Sequence, residues 1–465
     1  MKKTIISAIC FLFTLLSSHA QQSIAQFKAG DRVALVGDSI THGGHYHSYI
    51  WLYYMTRFPD MPITFLNCGV GGDTSWDIVS RWQYDVVDKK PTYVTLTFGM
   101  NDTGYFGVYN NEKSEKKASE LVQKSLAGFA ELEKSLEKDF PGAEIVMIGG
   151  SPYDETSRFN RSSLKDKNAA ICRVIEGQKA AAERHGWGFV DFNSPMVEIS
   201  LSEQSKDSTF SFSRQDRIHP DQDGQMVMAY LFLKAQGLAG RKVAHVDIDA
   251  RKAKVRKQEY CRISSLEVTD EGLSFDYLAE SLPYPCDTIS ENGWANVRSQ
   301  RDGAALVPFM EEFNQETLCV GRLPEGTYRL TIDGEFIDDL SSERLAAGVN
   351  LAAYVNTPQY RQASVIMYMN EERFEIEKRM REYIWMQSNM FRGTDRIFAD
   401  DSKAMEQINA RAQKDPFVSM SNYWYRKSRN PEIREIWQEY MDILVEKIYA
   451  VNKPLSRRVV LEKLL

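Results

Sequence analysis

From Ala29 to about Leu238, short apolar runs alternate with helical patterns, and this alternation restricts the fold more than any other feature of the 465-residue chain. A parallel sheet with helices on both faces buries such runs, because parallel strands are joined by crossover helices. The runs are Val33 to Val36, Ile63 to Leu66, Tyr93 to Phe98, Ile145 to Ile148 and Gly188 to Phe192. Helices are expected at Tyr46 to Arg57, Ser75 to Val87, Ser114 to Leu136 and Lys165 to His185, with Gln225 to Gln236 closing the unit. Right-handed crossovers then give an α/β fold, a flavodoxin-like three-layer α/β/α sandwich with a parallel five-stranded sheet.

In such a sheet, ligands sit beyond the carboxyl ends of the strands. The first run ends in Gly37-Asp38-Ser39-Ile40, which puts a serine hydroxyl at that edge. Serines in turns also cap helices, so the tripeptide alone does not define a nucleophile. After the second run come Asn67-Cys68-Gly69-Val70-Gly71-Gly72-Asp73-Thr74, where glycines let the backbone approach a ligand and Asp73 or Thr74 is able to cap the next helix. After the third come Gly99-Met100-Asn101-Asp102, which add a side-chain amide. Backbone N–H groups and an amide at one edge are the donors an oxyanion hole requires.

A serine nucleophile needs a base. His219 stands out because it precedes Pro220, follows Asp216 at three residues and lies just before the closing helix. An aspartate on the same short turn can hold Nδ1 and leave Nε2 free to take a proton. His42, His45 and His47 form a second cluster, expected to line the substrate pocket; no carboxylate or cysteine is spaced to complete a zinc site with them.

Four blocks in order, Gly37-Asp38-Ser39-Ile40, Gly71-Gly72-Asp73-Thr74, Gly99-Met100-Asn101-Asp102 and Asp216-Arg217-Ile218-His219-Pro220, give the chain its resemblance to the SGNH hydrolases, also called GDSL-type esterases and lipases. The resemblance covers residues of about 29 to 238. It implies Ser39 as nucleophile, His219 as general base and Asp216 as its orienting carboxylate. It implies an oxyanion hole made by the N–H groups of Ser39 and Gly72 and the amide of Asn101, with His42 a substrate-binding candidate. No metal and no organic cofactor is implied. Ile40 stands where the family commonly has leucine, and Met100 fills a variable position.

The first twenty residues read as a secretory signal: Lys2 and Lys3 precede an apolar run from Ile5 to Leu16, and Ser18-His19-Ala20 offers a cleavage site. That run is shorter than the roughly 20 residues needed to span a bilayer, and no other segment is apolar enough. A net charge of -7 argues against a nucleic-acid partner. Cys68, Cys172, Cys261, Cys286 and Cys319 remain after the signal, an odd number; one disulfide among the last three and buried free thiols are equally compatible readings.

The expected organisation is a signal at 1-20, a hydrolase domain at 21-240 and an accessory region at 241-465, β-rich over about 241-340 and helical over about 341-465. A charged helix at Gln362 to Met390 has an apolar stripe through Val365, Tyr368, Met369, Phe374, Ile376, Met380 and Ile384 that must be buried, while its charges read as a solvated face. Trp294, Trp385, Trp424 and Tyr425 are candidates either for a polysaccharide surface or for internal packing. Since every catalytic candidate precedes residue 240, the second half is expected to choose the substrate and leave the chemistry alone. The resulting expectation is an exported serine esterase that hydrolyses O-acyl, chiefly O-acetyl, esters of carbohydrate through an acyl-enzyme on Ser39, the partner being a small-molecule or polysaccharide ester substrate. Its competitors are a lipid esterase similar to lysophospholipases or platelet-activating-factor acetylhydrolases, and a carbohydrate-binding protein with a hydrolase-like fold.

Overall fold

The computed structural model describes residues 23–159, 162–290 and 298–464. The expected signal segment and Trp294 lie outside those residues. The chain opens with β1 (Arg32–Gly37), α1 (Ser39–His42), α2 (Tyr46–Arg57), β2 (Thr64–Gly69), α3 (Ser75–Asp85), β3 (Tyr93–Leu96), α4 (Ser114–Asp139) and β4 (Glu144–Gly149). It continues through α5 (Lys167–His185), β5 (Gly188–Asp191), α6 (Asn193–Gln204) and α7 (Gln222–Ala235). The five strands form one parallel sheet in the order β2-β1-β3-β4-β5, the flavodoxin-like order expected of the alternating pattern.

The apolar runs are strands because both of their faces are covered. In β1 only Arg32 is not fully buried. The helix α2 is an informative case, since all of its residues from Tyr46 to Arg57 are buried. A helix apolar on every side needs neighbours on every side. One is α7; another comes from the far end of the chain.

The second half begins with β6 (Ala244–Asp249), β7 (Lys254–Glu259), β8 (Cys261–Thr269), β9 (Gly272–Ala279), α8 (Gln300–Ala305), α9 (Phe309–Phe313) and β10 (Glu316–Gly321). Next come β11 (Thr327–Ile332), β12 (Glu335–Ser341), α10 (Ser342–Ala347) and β13 (Val349–Asn350). Four helices follow, α11 (Pro358–Phe391), α12 (Ser402–Ala412), α13 (Pro416–Ser428) and α14 (Pro431–Val451), and the chain then enters β14 (Arg457–Lys463). Two sheets, β13-β10-β6-β7 and β12-β11-β14-β9-β8, share one apolar core that includes Val246, Phe275, Leu330 and Leu461. The stretch expected to be helical to its end thus returns as a strand, inserted antiparallel between β9 and β11, where Val459 and Leu461 fill the core between the sheets.

The two halves pack against each other. Leu282, Tyr284, Phe313, Ile366, Met367 and Ile448 belong to the same core as the parallel sheet. The Arg57 guanidinium, fully buried, donates to Phe313 O and Arg241 O at 3.0 and 2.8 Å. Asn370 of α11 donates to Ser48 Oγ at 2.8 Å, and Asn452 donates to Met55 O at 2.8 Å.

The stripe predicted for α11 is only partly the buried one. Phe374 and Ile376 are buried, whereas Val365 and Tyr368 are more than half exposed. The face turned inward carries Ile366, Met367 and Phe374 together with Arg373, Glu377 and Arg381, so these three charges, expected in solvent, are buried. Among the aromatic candidates, Tyr425 is buried and donates to Asp400 at 2.6 Å, and Trp424 lies beneath the Arg379 and Lys427 cations.

All five cysteines among the described residues are free thiols. No described helix is long and apolar enough to cross a membrane.

Candidate active site

The sharp exit from β1 is possible because residue 37 is glycine: a Cβ there would stand 2.3 Å from Thr41 Oγ1 and 2.9 Å from Thr97 Cγ2. Asp38 caps α1, accepting from Ile40 N–H at 2.9 Å. Burial pushes its carboxyl up to about 6, against that N–H and the nearby His219. Ser39 follows as the first residue of α1, with its hydroxyl at the sheet's carboxyl edge.

Before α7, Asp216 and His219 share a tight turn. Asp216 Oδ1 accepts from the N–H groups of Ile218 and His219 at 2.8 and 2.9 Å, while Oδ2 lies 2.5 Å from His219 Nδ1. On the other side of the ring, Nε2 lies 2.8 Å from Ser39 Oγ. A carboxylate is only an acceptor, so Nδ1 carries the proton and Nε2 accepts from the hydroxyl. Burial pulls the imidazole down, but the hydrogen bond and charge of Asp216, aided by Asp38, hold it above its ordinary value. For Asp216 the balance falls the other way: burial raises it, and the His219 hydrogen bond and charge bring it below the usual carboxylate range.

This turn depends on Arg217, whose φ of +69° is a conformation non-glycine residues rarely adopt. The buried Arg217 guanidinium donates to Asp154 O and Ser157 O at 3.0 and 3.1 Å and stacks over the Phe159 ring. Nothing local in the sequence marks Arg217, a cation between Asp216 and His219, as buried.

At the end of β2, Gly69 packs against α1, and a Cβ on it would stand 2.3 Å from His42 N. Gly71 N–H donates to His42 Nδ1 at 3.2 Å. Gly72 has a φ of +87°. Thr74 caps α3 in a reciprocal box with Asp77, one of the alternatives left open for that turn. At the end of β3, Asn101 Nδ2 donates to Asp73 O at 3.0 Å, and its Oδ1 accepts from Tyr105 OH at 2.8 Å. One Nδ2 hydrogen is thereby used and the other is free for a further acceptor. Asp102 ties the loops together, accepting from Gly99 N–H, Ser75 N–H and Ser125 Oγ.

Lys167 carries no sign in the sequence of its place beside the site. Its ammonium is buried under the Asn101 loop, donating to Met100 O, Gly104 O and Thr103 Oγ1 at 2.7, 2.6 and 2.9 Å. Burial pulls it down to about 7. A lysine at the start of an amphipathic helix reads as solvated, and only the tertiary fold brings these carbonyls to it.

The histidine cluster diverges rather than converging. His47 Nε2 lies 3.1 Å from Thr41 O, and His45 packs on Phe374 of α11. His42 is buried beneath the glycine loop, with Nε2 facing Glu382. Among the described residues no group of three or more His, Cys, Asp or Glu side chains is arranged to hold a metal ion.

Residues 35–227 match the GDSL-like Lipase/Acylhydrolase family, and residues 364–453 match the Diltiazem deacetylase C-terminal helical domain. A solved structure of a gut microbial diltiazem-metabolizing enzyme is 46% identical to this chain, covers 96% of it and 100% of its own length, and superposes with a TM-score of 0.92. An acetylxylan esterase of Geobacillus stearothermophilus is 24% identical over 224 residues, 45% of this chain and 95% of that protein. An uncharacterized lipoprotein of Bacillus subtilis (strain 168) is 37% identical over 76 residues, 15% of this chain and 31% of that protein.

Proposed function

The chain belongs to the GDSL-like lipase/acylhydrolase family and hydrolyses ester bonds, and from that premise we propose that it is an exported deacetylase that removes O-acetyl groups, on carbohydrate in its natural setting, through an acyl-enzyme on Ser39. The observation that carries this reading is the continuous run from Asp216 through His219 to Ser39, at 2.5 and 2.8 Å.

In the proposed reaction, Ser39 Oγ attacks the acetyl carbonyl as His219 Nε2 takes its proton, and Asp216 stabilises the imidazolium that forms. The charge developing on the carbonyl oxygen is met by the N–H groups of Ser39 and Gly72 and by Asn101 Nδ2. These donors sit on α1 and on the loops after β2 and β3, held by hydrogen bonds such as Asn101 Nδ2 to Asp73 O and Trp385 Nε1 to Gly71 O, so little reorganisation is needed as the charge forms. The tetrahedral intermediate collapses, the C–O bond to the alcohol breaks and His219 protonates the leaving oxygen. Water then repeats the sequence on the acetyl-enzyme, giving acetate and the free hydroxyl.

The acetyl preference is supported by two relatives of the same chemistry, the acetylxylan esterase and the domain named for a diltiazem deacetylase. Full-length likeness to the diltiazem-metabolizing enzyme favours a second substrate, an acetylated drug of that type. Export is supported by the basic, apolar and small-residue pattern of the first twenty residues. The test compares p-nitrophenyl acetate, p-nitrophenyl octanoate, acetylated xylo-oligosaccharides and diltiazem as substrates. Acetate release from the oligosaccharides at a kcat/KM above that for diltiazem is the expected result. Preference for octanoate would overturn the acetyl reading in favour of a lipid esterase.

A further inference from the structure

The peptide group between Gly71 and Gly72 carries the carbonyl of the first and the N–H of the second, and a planar trans peptide points these in opposite directions. Whatever holds Gly71 O therefore aims Gly72 N–H. In this protein the holder is Trp385 of α11, whose Nε1 donates to Gly71 O at 3.0 Å. The preceding peptide is held by the first half of the chain, because Gly71 N–H donates to Nδ1 of His42, in the short helix that begins at Ser39. Burial, with the Arg381 and Arg81 charges, pulls His42 down to about 3, so Nδ1 remains an acceptor at neutral pH.

The anchoring extends along the loop. Arg381 Nε and Nη2 donate to Gly69 O at 3.0 and 2.8 Å, and Arg392 Nη2 donates to Asp73 at 2.8 Å. Apart from its own chain neighbours, Gly72 has no atom of the described residues within 4 Å of the place a Cβ would occupy, so no side chain packs on it there to orient it. Trp385 also touches Gly71 through its ring, since a Cβ on Gly71 would stand 3.2 Å from the indole nitrogen.

We propose that Trp385 and His42 are positioning residues for ester hydrolysis, fixing the Gly71–Gly72 peptide so that Gly72 N–H meets the carbonyl oxygen of the substrate. The inference rests on the oxyanion-hole reading given above and goes beyond it by making a helix of the second half part of the catalytic apparatus. The indole hydrogen bond polarises the same peptide and so strengthens the N–H on its other end.

The test uses the full chain and p-nitrophenyl acetate. Trp385→Phe keeps an aromatic ring and removes the donor; kcat is expected to fall roughly 10- to 100-fold, less than the ~10²- to 10³-fold lost when an oxyanion donor is deleted outright. KM and the acid limb of the pH profile are expected to stay in place, since neither substrate contacts nor the His219–Asp216 pair changes. His42→Ala should lose kcat similarly, and His42→Asn, which offers Oδ1 as an acceptor in place of Nδ1, should recover most of it. Full kcat in Trp385→Phe, a loss confined to KM, or equal behaviour of His42→Ala and His42→Asn would each overturn the proposal. If Trp385→Phe does not fold, the His42 pair decides. A wild-type protein inactive on every ester would remove the esterase reading itself, whereas active wild type with unaffected variants would remove only this inference.

Discussion

Asp85 of α3 and Arg381 of α11 lie 296 positions apart and form a two-pronged ion pair, with Nη1 and Nη2 each 2.7 Å from a different carboxylate oxygen. Neither side chain is more than 4% exposed. Arg81 and Lys89 complete the carboxylate's surroundings at 2.7 and 2.8 Å. Burial opposes the charge on Asp85, but Arg381 first and Lys89 next hold its carboxyl far below the usual range. The long helix is thereby fastened to the helix that follows the glycine loop.

Removing one side of a buried pair leaves the other uncompensated, at about 3–5 kcal/mol. Because Arg81 and Lys89 stay with Asp85, Arg381→Ala is expected at the lower end, about 3 kcal/mol, measured by urea unfolding. Asp85 is depressed on folding, so its contribution is present above the ordinary value of 3.8 and lost as the pH falls. The gap between wild type and variant should therefore narrow in acid. A fragment of residues 21 to 240 loses Arg381 and uncovers the surface beneath Ile366, Met367 and Phe374. It is expected to lack the stable fold and turnover that the sequence alone suggested for it.

The pH dependence follows from His219. Its imidazole is raised above 6.5 in the folded protein and must be neutral to take the serine proton. Accordingly kcat/KM should fall on the acid side with an apparent pKa above 6.5. Asp216→Asn removes the hydrogen-bonded charge and leaves burial, which acts downward. The acid limb should shift to lower pH, and kcat should drop on the order of 10⁴-fold as the wrong tautomer is stabilised. An unshifted limb would separate Asp216 from the titrating group.

Asn101→Ala should lower kcat roughly 10²- to 10³-fold, about 2.7 to 4 kcal/mol, with little change in KM, as expected for a donor used only in the transition state. Steady-state kinetics on a small acetyl ester provide the check. A change confined to KM would make Asn101 a ground-state substrate contact.

The parallel sheet was legible because each of its strands is a short apolar run ended by turn residues, so Val33 to Val36 and Ile145 to Ile148 fall inside β1 and β4. The four blocks were legible for the same reason: each follows a strand or precedes the closing helix, and the fold brings those ends to one edge. What stayed hidden is the pairing of charged residues across long separations. Arg373 and Arg381 lie on a helix whose composition reads as solvated, and nothing local says that Arg381 meets a buried aspartate or that Trp385 meets a glycine carbonyl. The strand β14 was hidden for a related reason, since its partners β9 and β11 come from earlier in the chain and its Arg457-Arg458 start masks the Val459 and Leu461 that face the core.

The central claim, that the hydrolysed acyl group passes through Ser39, is tested most directly by labelling. The full chain is inactivated with diethyl p-nitrophenyl phosphate, an organophosphate that phosphorylates activated serines, and the modified residue is mapped by peptide mass spectrometry. The account predicts one label, on the peptide carrying Ser39, rising in proportion to the loss of acetyl-ester turnover and absent in Ser39→Ala, which itself has no turnover. A label on a different serine that tracks the loss of activity, or substantial turnover in Ser39→Ala, would contradict it.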